Sequence, residues 1–153
     1  TLENPYLGSR NRKLFGMYDT DEKLEYADFG EDLIVSRINN GTNSLPTVYQ
    51  MPENNEEFIT YNFYMGGDIG ETIIKTERSE LPSVLIYGDS FTNPLESLIY
   101  YSFNEMRSLD FRHYNEKSLQ EYISEYKPDI VICVRDYESM IYEDGNGKDV
   151  TIK

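Results

Sequence analysis

Residues 84–87, Val-Leu-Ile-Tyr, form an apolar run that stops at Gly88 and is followed at once by Asp89, Ser90 and Phe91-Thr92-Asn93. Near-continuous rather than alternating apolarity marks a strand buried on both faces, as in a parallel sheet. Residues 94–105 read as the helix that follows. A buried strand turning through glycine into a helix sets Ser90 at the carboxyl end of a central strand, where open α/β sheets bind their ligands. The turn also aims backbone N–H groups at anything beside the hydroxyl.

The same texture continues towards the carboxyl terminus. A strand at 83–87, a helix at 94–105, a strand at 107–112, a helix at 116–126 and a strand at 129–134 alternate in βαβαβ order. That order calls for a parallel sheet with right-handed crossovers. The second helix has Asn115 as its N-cap and Pro128 as its stop, with Leu119, Tyr122, Ile123 and Tyr126 spaced to face the sheet.

Before residue 81 the chain is β-rich and loop-heavy. Strands are expected at 32–38, 47–51, 57–65 and 71–75; Asn39-Asn40-Gly41 ends the first and Gly66-Gly67-Asp68 breaks the third. Arg10, Arg12 and Lys13 form a basic cluster that reads as a solvated loop. Residues 143–147 read as a turn, and 148–152 as either a last strand or a tail.

The length of 153 residues fits one domain with a real core. A net charge of −14 argues against nonspecific binding to nucleic acid or to an anionic membrane surface, and leaves neutral sugars and esters open. The single cysteine, Cys133, rules out an intrachain disulfide and reads as a small buried apolar side chain. Nothing resembles a signal peptide or a transmembrane span. The chain opens at Thr1 within ordinary-looking sequence, which reads as a portion of something longer.

A serine hydroxyl becomes a nucleophile when a base takes its proton and donors stabilise the oxyanion. The Gly88–Asp89–Ser90 turn, with the Asn93 amide or the Arg112 guanidinium, supplies candidate donors. Gly-x-Ser-x-Gly spacing is absent, and no Gly-Lys-Ser/Thr follows, so neither a nucleophile elbow nor a phosphate loop is present. Spacing alone leaves two readings open: a nucleophile at Ser90, or a helix cap made by Asp89 or Ser90. The polar run 53–57 lacks the ligand spacing of a calcium loop.

Four segments carry a resemblance. Val-Leu-Ile-Tyr-Gly-Asp-Ser-Phe-Thr-Asn (84–93) resembles the first block of the SGNH (GDSL-type) hydrolase superfamily, in particular the bacterial DHHW and alginate O-acetyltransferase-like branch. Residues 61–68, with their aromatic run and Gly-Gly-Asp, resemble the DHHW segment ahead of the serine strand. Leu-Asp-Phe-Arg-His-Tyr (109–114) resembles their Asp-x-Arg-Tyr strand, and Lys-Pro-Asp-Ile-Val (127–131) the strand after the next helix.

The resemblance implies one SGNH-like domain over 1–153, a carboxyl-terminal fragment whose 81–137 core is flanked by the β-rich 1–80. The implied fold is flavodoxin-like, a three-layer α/β/α arrangement around a parallel sheet. It implies Ser90 as nucleophile and Gly88, Asp89, Asn93 and Arg112 at the oxyanion or substrate. The implied activity is O-acyl ester hydrolysis or O-acetyl transfer on a bacterial cell-surface polysaccharide. Acylated carbohydrate or a small ester is the substrate, with a membrane-bound acyl-transfer partner, an extracellular or envelope location, and no metal or organic cofactor.

One part of the pattern is missing. The branch takes its catalytic Asp and His from an Asp-x-His or Asp-His-His-Trp motif upstream of the serine block, and residues 1–87 hold none. The only histidine, His113, is the sole internal candidate for the base, and strand parity argues against it by setting it on the face opposite Arg112. The expected base is therefore a His-Asp pair from outside this chain. The rival reading is a non-catalytic glycan-binding or assembly domain with a degenerate SGNH fold.

Overall fold

The computed structural model describes residues 1–14, 17, 23–29 and 33–137. The expected turn at 143–147 and the strand or tail at 148–152 lie outside them. In chain order the elements are α1 (Ser9–Lys13), β1 (Ser36–Asn39), β2 (Thr42–Ser44), β3 (Glu71–Lys75), β4 (Ser83–Gly88), α2 (Thr92–Ile99), β5 (Glu105–Asp110), α3 (Leu119–Tyr126) and β6 (Ile130–Val134). Six strands form one sheet in the order β2-β1-β3-β5-β4-β6. β5, β4 and β6 run parallel, as the βαβαβ order predicts, while β3, β1 and β2 from the β-rich first half extend the same sheet antiparallel. β1 and β2 are joined by a hairpin turn in which Asn40 and Gly41 take φ values of 46° and 75°, the twist that a tight two-residue hairpin requires.

The middle of the sheet is covered on both faces by separate clusters. Val84 and Ile86 join Ile74, Met106, Tyr100, Phe63 and Met65 on one side. Leu85, one residue out of phase, joins Leu109, Phe111, Tyr114 and Tyr122 on the other, with Leu119, Ile123 and Tyr126 packed against them. The sheet-facing stripe of α3 is the one its spacing predicts. β6 differs from expectation. It is an edge strand among the described residues, Ile130 and Val131 are 41% and 44% exposed, and Cys133 is exposed rather than buried.

Local chemistry shifted several boundaries. α3 begins at Leu119, not 116, because Ser118 and Glu121 form a capping box: the Glu121 N–H reaches Ser118 Oγ at 3.3 Å and the Ser118 N–H reaches Glu121 Oε2 at 2.9 Å. Two helical N–H groups are satisfied there, which Asn115 does not do. The expected strand at 107–112 starts at Glu105 and stops at Asp110. The expected strands at 47–51 and 57–65 are single bridges, Tyr49↔Tyr64 and Tyr6↔Ile59, beside a 3-10 turn at Tyr61–Phe63. Their β-forming aromatics pack as rings instead, with Tyr49 and Phe63 stacked at 5.0 Å. Positive φ at Met65, Gly66 and Gly67 then turns the chain out of any strand.

One carboxylate is buried inside the fold. Glu96 of α2 is 2% exposed and accepts from Ser108 Oγ at 2.5 Å. Burial pushes its pKa up from 4.5, against the pull of bonds from Ser108 and Thr92 and of the Arg37 charge. The folded chain therefore holds this proton more tightly than the unfolded one. Stability falls as pH rises from 4.5 through the raised value and stays lower above it. A Glu96→Gln chain keeps an acceptor for Ser108 without that loss. Its urea midpoint should gain on the parent's between acid and neutral pH; a constant difference would count against a retained proton. Ser118→Ala should lower stability by about 1 kcal/mol, read from the same curves.

Candidate active site

β4 ends at Gly88, which pairs with Asp110 of β5 on one side and Val134 of β6 on the other. A Cβ at Gly88 would sit 1.8 Å from the Val134 carbonyl oxygen and 2.9 Å from Thr92 Cγ2. Only glycine fits. The chain leaves the sheet through Asp89, Ser90 and Phe91 and enters α2 at Thr92.

Neither Asp89 nor Ser90 caps α2, whose N-cap is Phe91 without a side-chain cap bond. Asp89 instead fastens the turn: its Oδ1 accepts the Phe91 N–H and its Oδ2 the Asp136 N–H, each at 2.9 Å. The Thr92 and Asn93 N–H groups bond the carbonyls of Asp89 and Ser90 at 3.0 and 3.2 Å. Ser90 caps nothing. Among the described residues neither its N–H nor its hydroxyl has a hydrogen-bond partner. Its carbonyl accepts from the Tyr61 hydroxyl at 2.9 Å. Burial, followed by the charges of Tyr6, Tyr64, Asp89 and Asp68, pushes that phenol up to about 12, so it donates at neutral pH.

Ser90 is half-buried beside a cleft of about 130 Å³ that it shares with Leu7, Arg12, Thr60, Tyr61, Asn62 and Asp68. Two larger hollows, each of about 180 Å³, are lined by no residue of the Ser90 turn. Asn93, expected to face the oxyanion, is buried and donates its Nδ2 to the Gly67 carbonyl at 3.2 Å. That bond ties the Gly66–Gly67–Asp68 turn to α2 and brings Asp68 to the cleft. Tyr87 and Tyr114 pack with Phe111, in keeping with a core or rim role.

Arg112 and His113 do not lie on opposite faces of a strand, because the strand has already ended. Buried Asp110 bends the chain: its Oδ1 accepts the Arg112 N–H at 3.0 Å, and its carbonyl accepts the N–H groups of His113 and Tyr114 at 2.9 and 2.7 Å. An aspartate bonding the backbone two residues on makes a turn. Arg112 forks onto Asp110 through Nε at 2.9 Å and Nη2 at 2.5 Å, and Nη2 lies 3.2 Å from Asp68 Oδ1. The bond to Asp110 raises the guanidinium pKa against burial, and the charges of Asp110, Asp68 and Asp89 add to it.

His113 Nε2 stands 3.8 Å from Asp68 Oδ2. Both residues meet Asp68, and neither lines the Ser90 cleft. Asp68, Asp110 and His113 offer ligand atoms within 4.8 Å of one another, a grouping that already contains the Arg112 cation. Asp68 and Arg12 were not singled out as site residues from sequence. Arg12 is solvent-exposed as expected, but it lies on α1 and also stands on the cleft wall.

No protein-family model matches the chain, and no curated protein matches it either. Among solved structures it is similar to Bacillus cereus PatB1. One PatB1 structure, carrying a sulfonyl adduct, is 25% identical with a TM-score of 0.57, over 67% of this chain and 36% of that one. A second is 25% identical with a TM-score of 0.59, over 70% and 37%. A DHHW family protein from Eubacterium siraeum shares the fold at 22% identity and a TM-score of 0.53, over 71% of this chain and 33% of its own. The chain thus spans about a third of the length of these proteins. These neighbours fit the resemblance to DHHW proteins.

Gly88→Ala should cost about 3 kcal/mol or more, because backbone rather than a flexible side chain blocks the added methyl. Ser90→Ala should stay within about 0.5 kcal/mol of the parent, its hydroxyl having no partner to lose. Urea unfolding of the two variants checks both, and a well-tolerated Gly88→Ala would mean that β6 is not held against the end of β4.

Proposed function

We propose that this chain carries the nucleophile of an SGNH-like serine acyl-transfer site, an O-acyl esterase or O-acetyltransferase acting on a cell-surface polysaccharide. One observation carries the reading. Ser90 stands on a glycine-gated strand–turn–helix at the end of a parallel strand, with its hydroxyl and N–H free among the described residues and facing a polar cleft. The likeness to PatB1, one structure of which bears a sulfonyl adduct, supports it, since sulfonyl groups are captured by activated nucleophiles. On this reading the fold is the three-layer SGNH arrangement, with α2 on one face of the sheet and α3 on the other.

Ser90 Oγ attacks the acyl carbon, and its proton passes to a base as the C–O bond of the ester breaks. The departing alcohol takes the proton back from that base. A second hydroxyl, from water or a sugar, then releases the acyl group and restores the serine. The Ser90 N–H is the available oxyanion donor of the turn. The base belongs outside the described residues, in the SGNH pattern a histidine held by an aspartate. No metal or organic cofactor enters these steps.

The second reading, a glycan-binding domain without turnover, is favoured by the pairing of the sole histidine with Asp68. A fluorophosphonate separates the two by intact mass, with and without added imidazole as a substitute base and beside a Ser90→Ala control. A Ser90-dependent adduct that forms about tenfold faster or more with imidazole is the expected result. Adduct formation that needs no imidazole and is lost in His113→Ala would make His113 the base. No Ser90-dependent adduct under either condition would leave the binding domain.

A further inference from the structure

The cleft beside Ser90 has one feature that acyl transfer alone does not require. The chain has 28 acidic residues against 14 basic ones, and many of its described cations meet carboxylates. Lys23 meets Glu3, Lys75 and Arg107 meet Glu105, Arg112 meets Asp110 and Asp68, and Lys117 meets Glu125. Arg37 is buried on backbone carbonyls. Arg12 differs: among the described residues its guanidinium has no partner, and it is the only cation on the cleft wall. The carboxylate of the same cleft, Asp68, lies 3.2 Å from Arg112, a cation that it shares with Asp110. Among the described residues, Arg12 is therefore the one cation on the cleft wall without a carboxylate partner, and it is open to a ligand entering beside Ser90.

The dimensions narrow the class. A volume of about 130 Å³ corresponds to roughly four waters of liquid, which holds one end of a saccharide rather than a run of sugars. Thr60 and Asn62 add a hydroxyl and an amide to the lining, the group types that bond sugar hydroxyls. A guanidinium fork matches a carboxylate or a phosphate with two hydrogen bonds.

Resting on the reading of the cleft as a carbohydrate acyl site, we infer that Arg12 selects an anionic sugar. It pairs with a carboxylate or phosphate borne on the same sugar that presents its ester or hydroxyl to Ser90. Arg12 is thus a specificity residue, while Ser90 performs the chemistry.

The test titrates the 153-residue chain with D-glucuronate, D-glucose 6-phosphate and D-glucose, followed by calorimetry or amide NMR shifts at low salt. Glucuronate or the phosphate should bind about tenfold or more tighter than glucose, and which one does so identifies the anion. Arg12→Ala should remove that preference and leave glucose affinity unchanged, Arg12→Lys should restore only part of it, and 1 M salt should shrink it. Circular dichroism confirms that the variants fold. Equal affinity for charged and neutral sugars, a preference untouched by Arg12→Ala, or no saturable binding of any of the three would overturn the inference.

Fluorophosphonate labelling of the unmodified chain, with and without imidazole, is read separately. Ser90-dependent labelling without an Arg12-dependent preference would sink this inference alone. Arg12-dependent anion binding without labelling would sink the acyl-transfer reading and leave an anion-binding cleft.

Discussion

The end of β4 is closed from two directions at once. The carbonyl of Val134 and the methyl of Thr92 occupy the space that a side chain at residue 88 would need. β6 can therefore lie flush against the end of β4, and α2 can start only four residues later. Asp89 fastens that exit by accepting one N–H from the turn and another from the chain beyond β6. Ser90 inherits its position from these contacts and makes none of them with its own side chain. A serine held this way needs no side-chain hydrogen bond of its own, so its hydroxyl is left beside the cleft.

The core of the fold was legible where burial acts on both faces. Val84, Leu85 and Ile86 point alternately into two clusters, so every position must be apolar and the run stands out. The antiparallel half was legible only in part. β3 and the Asn40–Gly41 hairpin carry local signals, but the aromatic segments at 47–51 and 57–65 do not become strands. Rich β-formers there report a need to pack rings around Tyr49 and Phe63, and the three positive φ values at 65–67 are invisible to composition. The start of α3 was readable and misread, since Ser118-x-x-Glu121 is a capping box written in the sequence.

The site divides in the same way. Ser90 follows from local order: buried strand, glycine, turn, helix. The neighbours of the cleft do not, because they arrive from distant parts of the chain. The bridge from Tyr6 to Ile59 brings the amino-terminal segment to the rim, and the bond from Asn93 to Gly67 delivers Asp68. Arg112 and His113 were placed by parity, which holds only while a strand lasts. Asp110 ends β5 with its own carboxylate and carries both side chains round to Asp68. An aspartate two residues before an arginine was the available warning.

These arrangements separate positioning from reactivity. The N–H groups of Phe91, Thr92 and Asn93 are engaged in holding the turn, the Asn93 amide in holding the 66–68 loop, and Arg112 in joining two carboxylates. Of the turn itself, only the N–H and hydroxyl of Ser90 are left unengaged among the described residues, while the Tyr61 hydroxyl holds the Ser90 carbonyl. On the proposed acyl-transfer reading, little reorganisation is needed at the serine when an acyl group arrives, and preorganised donors are worth most in such a setting. The sole histidine, lying 3.8 Å from Asp68, is aligned with a carboxylate and not with the hydroxyl. On the same proposal, rigidity at Ser90 sets where a substrate sits, and the rate is left to whichever base reaches the hydroxyl, a group separate from the framework that holds it.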